Sequence, residues 1–168
     1  MKLETMQNTY PVQPDHVDLP GFLSQLERWV AVESPTADAS AVNAMADLVA
    51  ARAAELGLRV SRHPTNDTTG DLLVARHGDD ARADEILILT HLDTVHAKGA
   101  LSGPLSWRFE GDRLFGPGVY DMKSGALMAL EALALVGDRS AATVMFIPDE
   151  ETGTAATRDA VEAAARKA

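Results

Sequence analysis

The chain has 168 residues, of which 46% are hydrophobic and none is cysteine, and its formal net charge is −10. That length suits a single domain with a continuous core. The negative balance, with no Lys/Arg run, argues against a nucleic-acid backbone or an anionic membrane surface as partner. Without cysteine there are no disulfides and no thiolate metal sites, so any zinc would be held by imidazole and carboxylate.

Residues 1–20 are polar and contain prolines, without the basic start and apolar run of a secretory signal. The cytoplasm is therefore the expected compartment. No apolar stretch reaches the roughly 20 residues needed to span a bilayer. Phe22, Leu23, Leu26, Trp29 and Val30 recur at helical spacing, which predicts a helix from about Pro20 to Val32, broken by Ser34-Pro35-Thr36. A second helix is predicted from about Ser40 to Leu56, with Val42, Met45, Leu48 and Val49 on one side and Gly57 as its stop. Strands are predicted over Leu58 to Arg62, Asp71 to Arg76 and Glu85 to Thr90. Ile86-Leu87-Ile88-Leu89 is a continuous apolar run, the pattern of a central strand covered on both faces.

Ala97 to Arg113 reads as irregular chain, with a short hairpin through Trp107-Arg108-Phe109 and Arg113-Leu114-Phe115 across Gly111-Asp112. A helix follows from about Lys123 to Val136, then a buried strand from Ala142 to Ile147 and a last helix from about Ala155 to Lys167. This alternation predicts an α/β domain with a mostly parallel sheet and helices on both faces.

Three polar clusters are read as sitting where strands end: Thr90 to Val95, Tyr120 to Gly125 and Asp149 to Gly153. Ligands of open α/β sheets bind at the carboxyl ends of strands, so the three could converge on one crevice. In extended chain His91 and Asp93 point to the same side, a spacing that lets a carboxylate orient a metal-ligating imidazole. The alternative is a strand-end histidine bonded to a turn aspartate. Asp121 precedes a helix and is either a ligand or a helix cap. Glu150 and Glu151 bring two carboxylates together, which suits one as metal ligand and the other as proton acceptor, or else forms a solvated acidic turn.

Among the remaining candidates, His16, His63 and His77 read as surface residues, and His96 as substrate-side or incidental. Trp29 and Trp107 read as packing residues. Lys123 either counters the carboxylates or is solvated.

In order, the segments Thr90-His91-Leu92-Asp93-Thr94-Val95, Gly116-Pro117-Gly118-Val119-Tyr120-Asp121-Met122-Lys123-Ser124-Gly125 and Asp149-Glu150-Glu151-Thr152-Gly153-Thr154 resemble the three N-terminal motifs of a zinc hydrolase family. That family includes glutamate carboxypeptidase, acetylornithine deacetylase, succinyl-diaminopimelate desuccinylase, aminoacylase and related dipeptidases. The resemblance covers about Leu23 to Asp159 and implies a phosphorylase/hydrolase-like zinc exopeptidase fold. It implies two zinc ions, replaceable by cobalt or manganese, with His91 and Glu151 each on one ion and Asp121 bridging both. Asp93 would support His91, and Glu150 would be the general base. The implied reaction is hydrolysis of an amide next to a free carboxylate, in a small peptide or N-acyl amino acid. The resemblance also implies a cis Asp121-Met122 peptide, and Gly-Pro-Gly before the aspartate leans toward the glutamate carboxypeptidase branch.

Relatives carry a further zinc-binding aspartate and histidine beyond the point corresponding to Ala168, and an inserted domain for dimerisation and substrate positioning. The resemblance therefore implies that residues 21–168 are the N-terminal portion of a catalytic domain, after a 1–20 tail, and that this chain alone is inactive. A complementary C-terminal polypeptide or a homo-oligomer is the expected partner. Two other readings stand beside this one. One is a non-catalytic product that folds and interacts through an exposed sheet edge. The other is a metal-free hydrolase using Glu150 and Asp121, for which sugar-stacking aromatics are scarce and the histidine motif has no use.

Overall fold

In the computed structural model, residues 16–77, 86–137 and 141–168 are described. Most of the predicted N-terminal tail, residues 1–15, lies outside them. Helix α1 (Leu19–Val30) starts at Asp18, whose carboxylate accepts the Gly21 N–H at 3.0 Å, with Pro20 in the first turn where no intrahelical donor is needed. Helix α2 (Ala39–Glu55) starts in the same way at Asp38, which accepts the Ala41 N–H at 2.9 Å. Its buried stripe of Val42, Met45, Ala46, Val49 and Ala53 follows the helical period.

Strands β1 (Arg59–His63), β2 (Leu72–Arg76), β3 (Ile86–His91) and β6 (Ala142–Ile147) form one sheet in the order β1-β2-β6-β3. Between β3 and β6 lie the hairpin β4 (Arg108–Glu110) and β5 (Arg113–Phe115) and helix α3 (Ser124–Val136). Helix α4 (Arg158–Ala165) follows β6.

One face of the sheet, with Leu73, Ala75, Ile88, Val144 and Phe146, packs against α1, α2 and α3. The other, with Leu72, Val74, Met145 and Ile147, meets Val161 and Ala164 of α4. The predicted α/β architecture with helices on both faces is thus present.

The sheet is mixed rather than mostly parallel. β3 and β6 run parallel, joined by a long crossover through α3, but β2 is antiparallel to both β1 and β6. The short connection 64–71 accounts for the β1–β2 pair, since it can return the chain only as a hairpin, whereas a parallel pair needs a crossover of a dozen or more residues.

A second correction concerns β3, read from its apolar run as central and covered. Among the described residues it is an edge strand paired only with β6, and Ile86 and Leu89 are exposed. β6 holds the inner place, buried along its whole length. An apolar run reports a demand for burial, not which neighbour meets it.

Candidate metal centre

Parallel pairing puts the carboxyl ends of β3 and β6 at the same end of the sheet, with His91 opposite Ile147. The pairing runs one residue further through the Leu92 N–H to the Ile147 carbonyl at 2.8 Å. His91 therefore emerges beside the Asp149–Glu150–Glu151 segment.

Asp121 arrives from a third direction, on a wide turn between Gly118 and α3 that is closed by the Lys123 N–H on the Gly118 carbonyl at 2.8 Å. Gly118 has φ +69°, and a Cβ there would lie 2.7 Å from the Thr94 methyl, so glycine lets the turn close on the segment that follows β3. The Asp121-Met122 peptide is cis.

One nitrogen of His91 and one carboxylate oxygen each of Asp121 and Glu151 lie within 4.8 Å of one another. His91 is 5% exposed. Its Nδ1 donates to the Asp93 backbone carbonyl at 2.9 Å, with the Asp93 carboxylate further off at 3.4 Å. Its Nε2 faces Asp121 Oδ1 at 3.0 Å. The carbonyl, not the carboxylate expected from the spacing, is thus the nearer partner of Nδ1. The consequence for ligation is unchanged: a neutral ring with its proton on Nδ1 presents the Nε2 lone pair to the acidic cluster.

Asp93 is 1% exposed and does more than face the ring. Its carboxylate accepts the Thr36 hydroxyl at 2.6 Å and the N–H groups of Glu150 and Glu151 at 3.3 and 3.2 Å. Asp149, also buried, accepts the Ala156 N–H at 2.8 Å and the Thr157 hydroxyl at 2.6 Å, closing the loop that presents the two glutamates.

The electrostatics follow from these contacts. Burial works against charge on the His91 ring, but Asp93 and Asp121 outweigh it and hold the pKa up at about 9. Burial also favours the neutral form of Asp93, yet His91, Thr36 and the Glu151 N–H together keep its carboxyl below the ordinary value. Burial pushes Glu151 up, opposed by His91 and reinforced by Asp121 and Asp93. A cation held among these groups would relieve the crowding of carboxylates and take the place of the proton on the imidazole. One nitrogen and two oxygen donors form a set that zinc accepts.

The sequence profile of peptidase family M20/M25/M40 matches residues 87–168, which include His91, Asp93, Asp121, Asp149, Glu150 and Glu151 but not Thr36. Carboxypeptidase G2 of Pseudomonas sp. (strain RS-16) is 33% identical over 156 residues, covering 89% of this chain. The chain belongs to this peptidase family. It spans 37% of the length of that relative, and so carries part of the catalytic domain. The cysteinylglycine-S-conjugate dipeptidase of Corynebacterium striatum is 37% identical over 93 residues, which are 52% of this chain and 20% of that protein. Among solved structures, human carnosine dipeptidase 1 superposes with a TM-score of 0.75 at 23% identity, over 89% of this chain and 36% of that one. The M20 family metallo-carboxypeptidase of Sulfolobus solfataricus gives 0.67 at 22%, over 87% and 35%. These two likenesses establish the fold.

The other singled-out residues are placed elsewhere. His63 bonds Ser61 on β1, and His77 is half-buried at the end of β2. His96 is half-buried after β3 and outside the ligand group. Trp29 is fully buried in the core, and Trp107 meets Phe109 edge to face, so both serve packing.

Lys123 is neither solvated nor turned toward the carboxylates. It is 1% exposed, and its ammonium donates to the Trp29 and Val32 carbonyls at 3.2 and 2.6 Å, at the end of α1. Burial pushes its pKa down to about 8 against the pull of Glu33.

The residues that sequence reasoning missed are those of the segment after α1. Glu33 accepts the Gly99 and Leu101 N–H groups at 2.7 and 2.8 Å. The Ser34 hydroxyl donates to the Leu92 carbonyl at 2.7 Å, and the Ser34 carbonyl accepts the Thr94 N–H at 2.8 Å. The only trace of this in the sequence is Ser34-Pro35-Thr36, which reads as a helix stop.

Proposed function

We propose that this chain supplies the metal-binding part of a zinc-dependent hydrolase acting on an amide bond next to a free carboxylate, in a small peptide or N-acyl amino acid. The observation that carries the reading is the convergence of His91, Asp121 and Glu151 from three separate segments. Glu150, exposed on the same turn as Glu151, serves as general base. Asp93 orients His91 and fixes the glutamate turn.

Zinc held by His91 Nε2, Asp121 and Glu151 would polarise the scissile carbonyl and acidify water at neutral pH. Glu150 takes the proton of the attacking water and returns it to the leaving amine nitrogen. If two ions are held, His91 would serve one, Glu151 the other, and the exposed Asp121 both. Cobalt or manganese substitutes for zinc in the same donor set. The negative balance of the chain keeps nucleic acid and anionic membranes from being partners, and the cytoplasm remains the compartment we assign.

The inserted dimerisation domain and the remaining ligands belong, in this reading, to polypeptide beyond these residues. Titration calorimetry should show zinc binding that His91→Ala abolishes; no heat above buffer from the unmutated chain would remove the metal from the proposal. Hydrolysis of N-acyl amino acids and C-terminal glutamyl amides should be undetectable for these residues alone and appear on adding a complementary C-terminal polypeptide. Turnover without it would overturn the division of the site.

A second reading draws on the exposed edge of β3, where Ile86 and Leu89 face outward. In it the protein is non-catalytic and binds another chain by strand addition. A complementary polypeptide that binds but restores no hydrolysis favours this reading.

A further inference from the structure

We propose that Thr36 is a positioning residue that acts through Asp93 on both halves of the site at once. Its hydroxyl donates to Asp93 Oδ2 at 2.6 Å, the shortest hydrogen bond that this carboxylate makes. The same Oδ2 accepts the Glu151 N–H, while Oδ1 accepts the Glu150 N–H and lies 3.4 Å from the imidazole Nδ1. A carboxylate can rotate about its last bond, and that rotation would shift both sets of contacts together. Thr36 is the donor that stops it.

Thr36 is itself held in place. Pro35 pairs with Thr94, and Ser34 bonds the backbone on both sides of Asp93. The hydroxyl therefore comes from a segment already locked to the strand that bears His91. It also borders an open pocket whose lining includes Asn66, Thr69, Asp149 and Thr152. Truncation to alanine would admit a water to replace the hydroxyl, whereas valine keeps the volume and removes the donor.

The geometric part of this inference stands on the metal-free chain; only its zinc arm rests on the proposed function. Amide hydrogen exchange by NMR on the metal-free 168-residue chain is the first test. Thr36→Val should speed exchange at Glu150 and Glu151 about tenfold, with core amides of β6 unchanged, and Thr36→Ser should restore the unmutated rates. Unchanged rates at both glutamates in Thr36→Val, or a serine variant as fast as valine, overturn the proposal.

In the unmutated chain the Thr36 hydroxyl proton should give a slowly exchanging resonance, a check that needs no variant to fold. Its absence counts against the proposal equally. Zinc calorimetry then reads the consequence: affinity about tenfold weaker in Thr36→Val and near the unmutated value in Thr36→Ser. No zinc heat from the unmutated chain removes the proposed function, and the exchange data still decide the role of Thr36.

Discussion

The two halves of the candidate site are built in opposite ways. On one side His91 and Asp93 are buried, and the imidazole Nδ1 and both Asp93 carboxylate oxygens are held by Thr36, by the glutamate turn and by one another, with only His91 Nε2 turned toward Asp121. On the other the Asp121 side chain is 71% exposed, and Glu150 is exposed as well. The buried half is organised by the protein itself, because an unpaired polar group there would be costly. The exposed half is left to solvent and to whatever binds. Fold stability and ligand binding should therefore separate along this line.

The largest effect should come from Asp93→Ala, which strips the acceptor from Thr36 and two backbone N–H groups and leaves the His91 ring without its buried counter-charge. A loss of about 3–5 kcal/mol is expected by urea denaturation. A loss under ~1 kcal/mol would mean that the buried half is not the organised one.

Next comes pH. The folded pKa of His91, about 9, lies above the ordinary 6.5, so its charge stabilises the fold fully below about pH 6.5, and that contribution disappears as pH rises through 9. Metal-free protein should lose up to ~3 kcal/mol across that window, a loss absent in His91→Gln. Over the same window zinc binding should strengthen, since the ion competes with this proton.

Lys123→Met keeps the buried stem but takes the ammonium donor from the Val32 carbonyl and leaves the Trp29 carbonyl with only the Val32 N–H at 3.3 Å, and should cost about 1–3 kcal/mol. Asp121→Asn removes one of the two carboxylates facing the His91 ring, but from an exposed position, and should cost about 0.5–1 kcal/mol, while Glu150→Gln, the smallest, should stay within about 0.5 kcal/mol of the unmutated protein. The same Asp121→Asn should nonetheless weaken zinc binding in calorimetry. If it unfolds the chain instead, the contrast between the halves is lost.

Much of this was readable from local pattern. The apolar spacing of Phe22 to Val30 and of Val42 to Val49 announces α1 and α2, and strand limits lie within a residue or two of those predicted from apolar runs and turn residues. The ligand candidates were readable because polar residues interrupt apolar chain where buried strands end. Strand order was not, since Ile86 to Leu89 looks equally apolar at an edge or in the middle. Thr36 and Lys123 were opaque for a related reason. Each makes its decisive bond to a residue far along the chain, Asp93 and Val32 respectively, and nothing near either residue records the partner.

Those long-range bonds also set an order of events for the growing or refolding chain. The segment Val32 to Thr36 must wait for Asp93 and then for Lys123, at separations of 57 and 91 residues. The glutamate turn arrives last, behind β6. Closing such loops delays the contacts that define the site until most of the sheet has formed. Helices α1 and α2 can form early from local signals, but the crevice is a late product, and a ribosome-bound chain shorter than Glu151 has none.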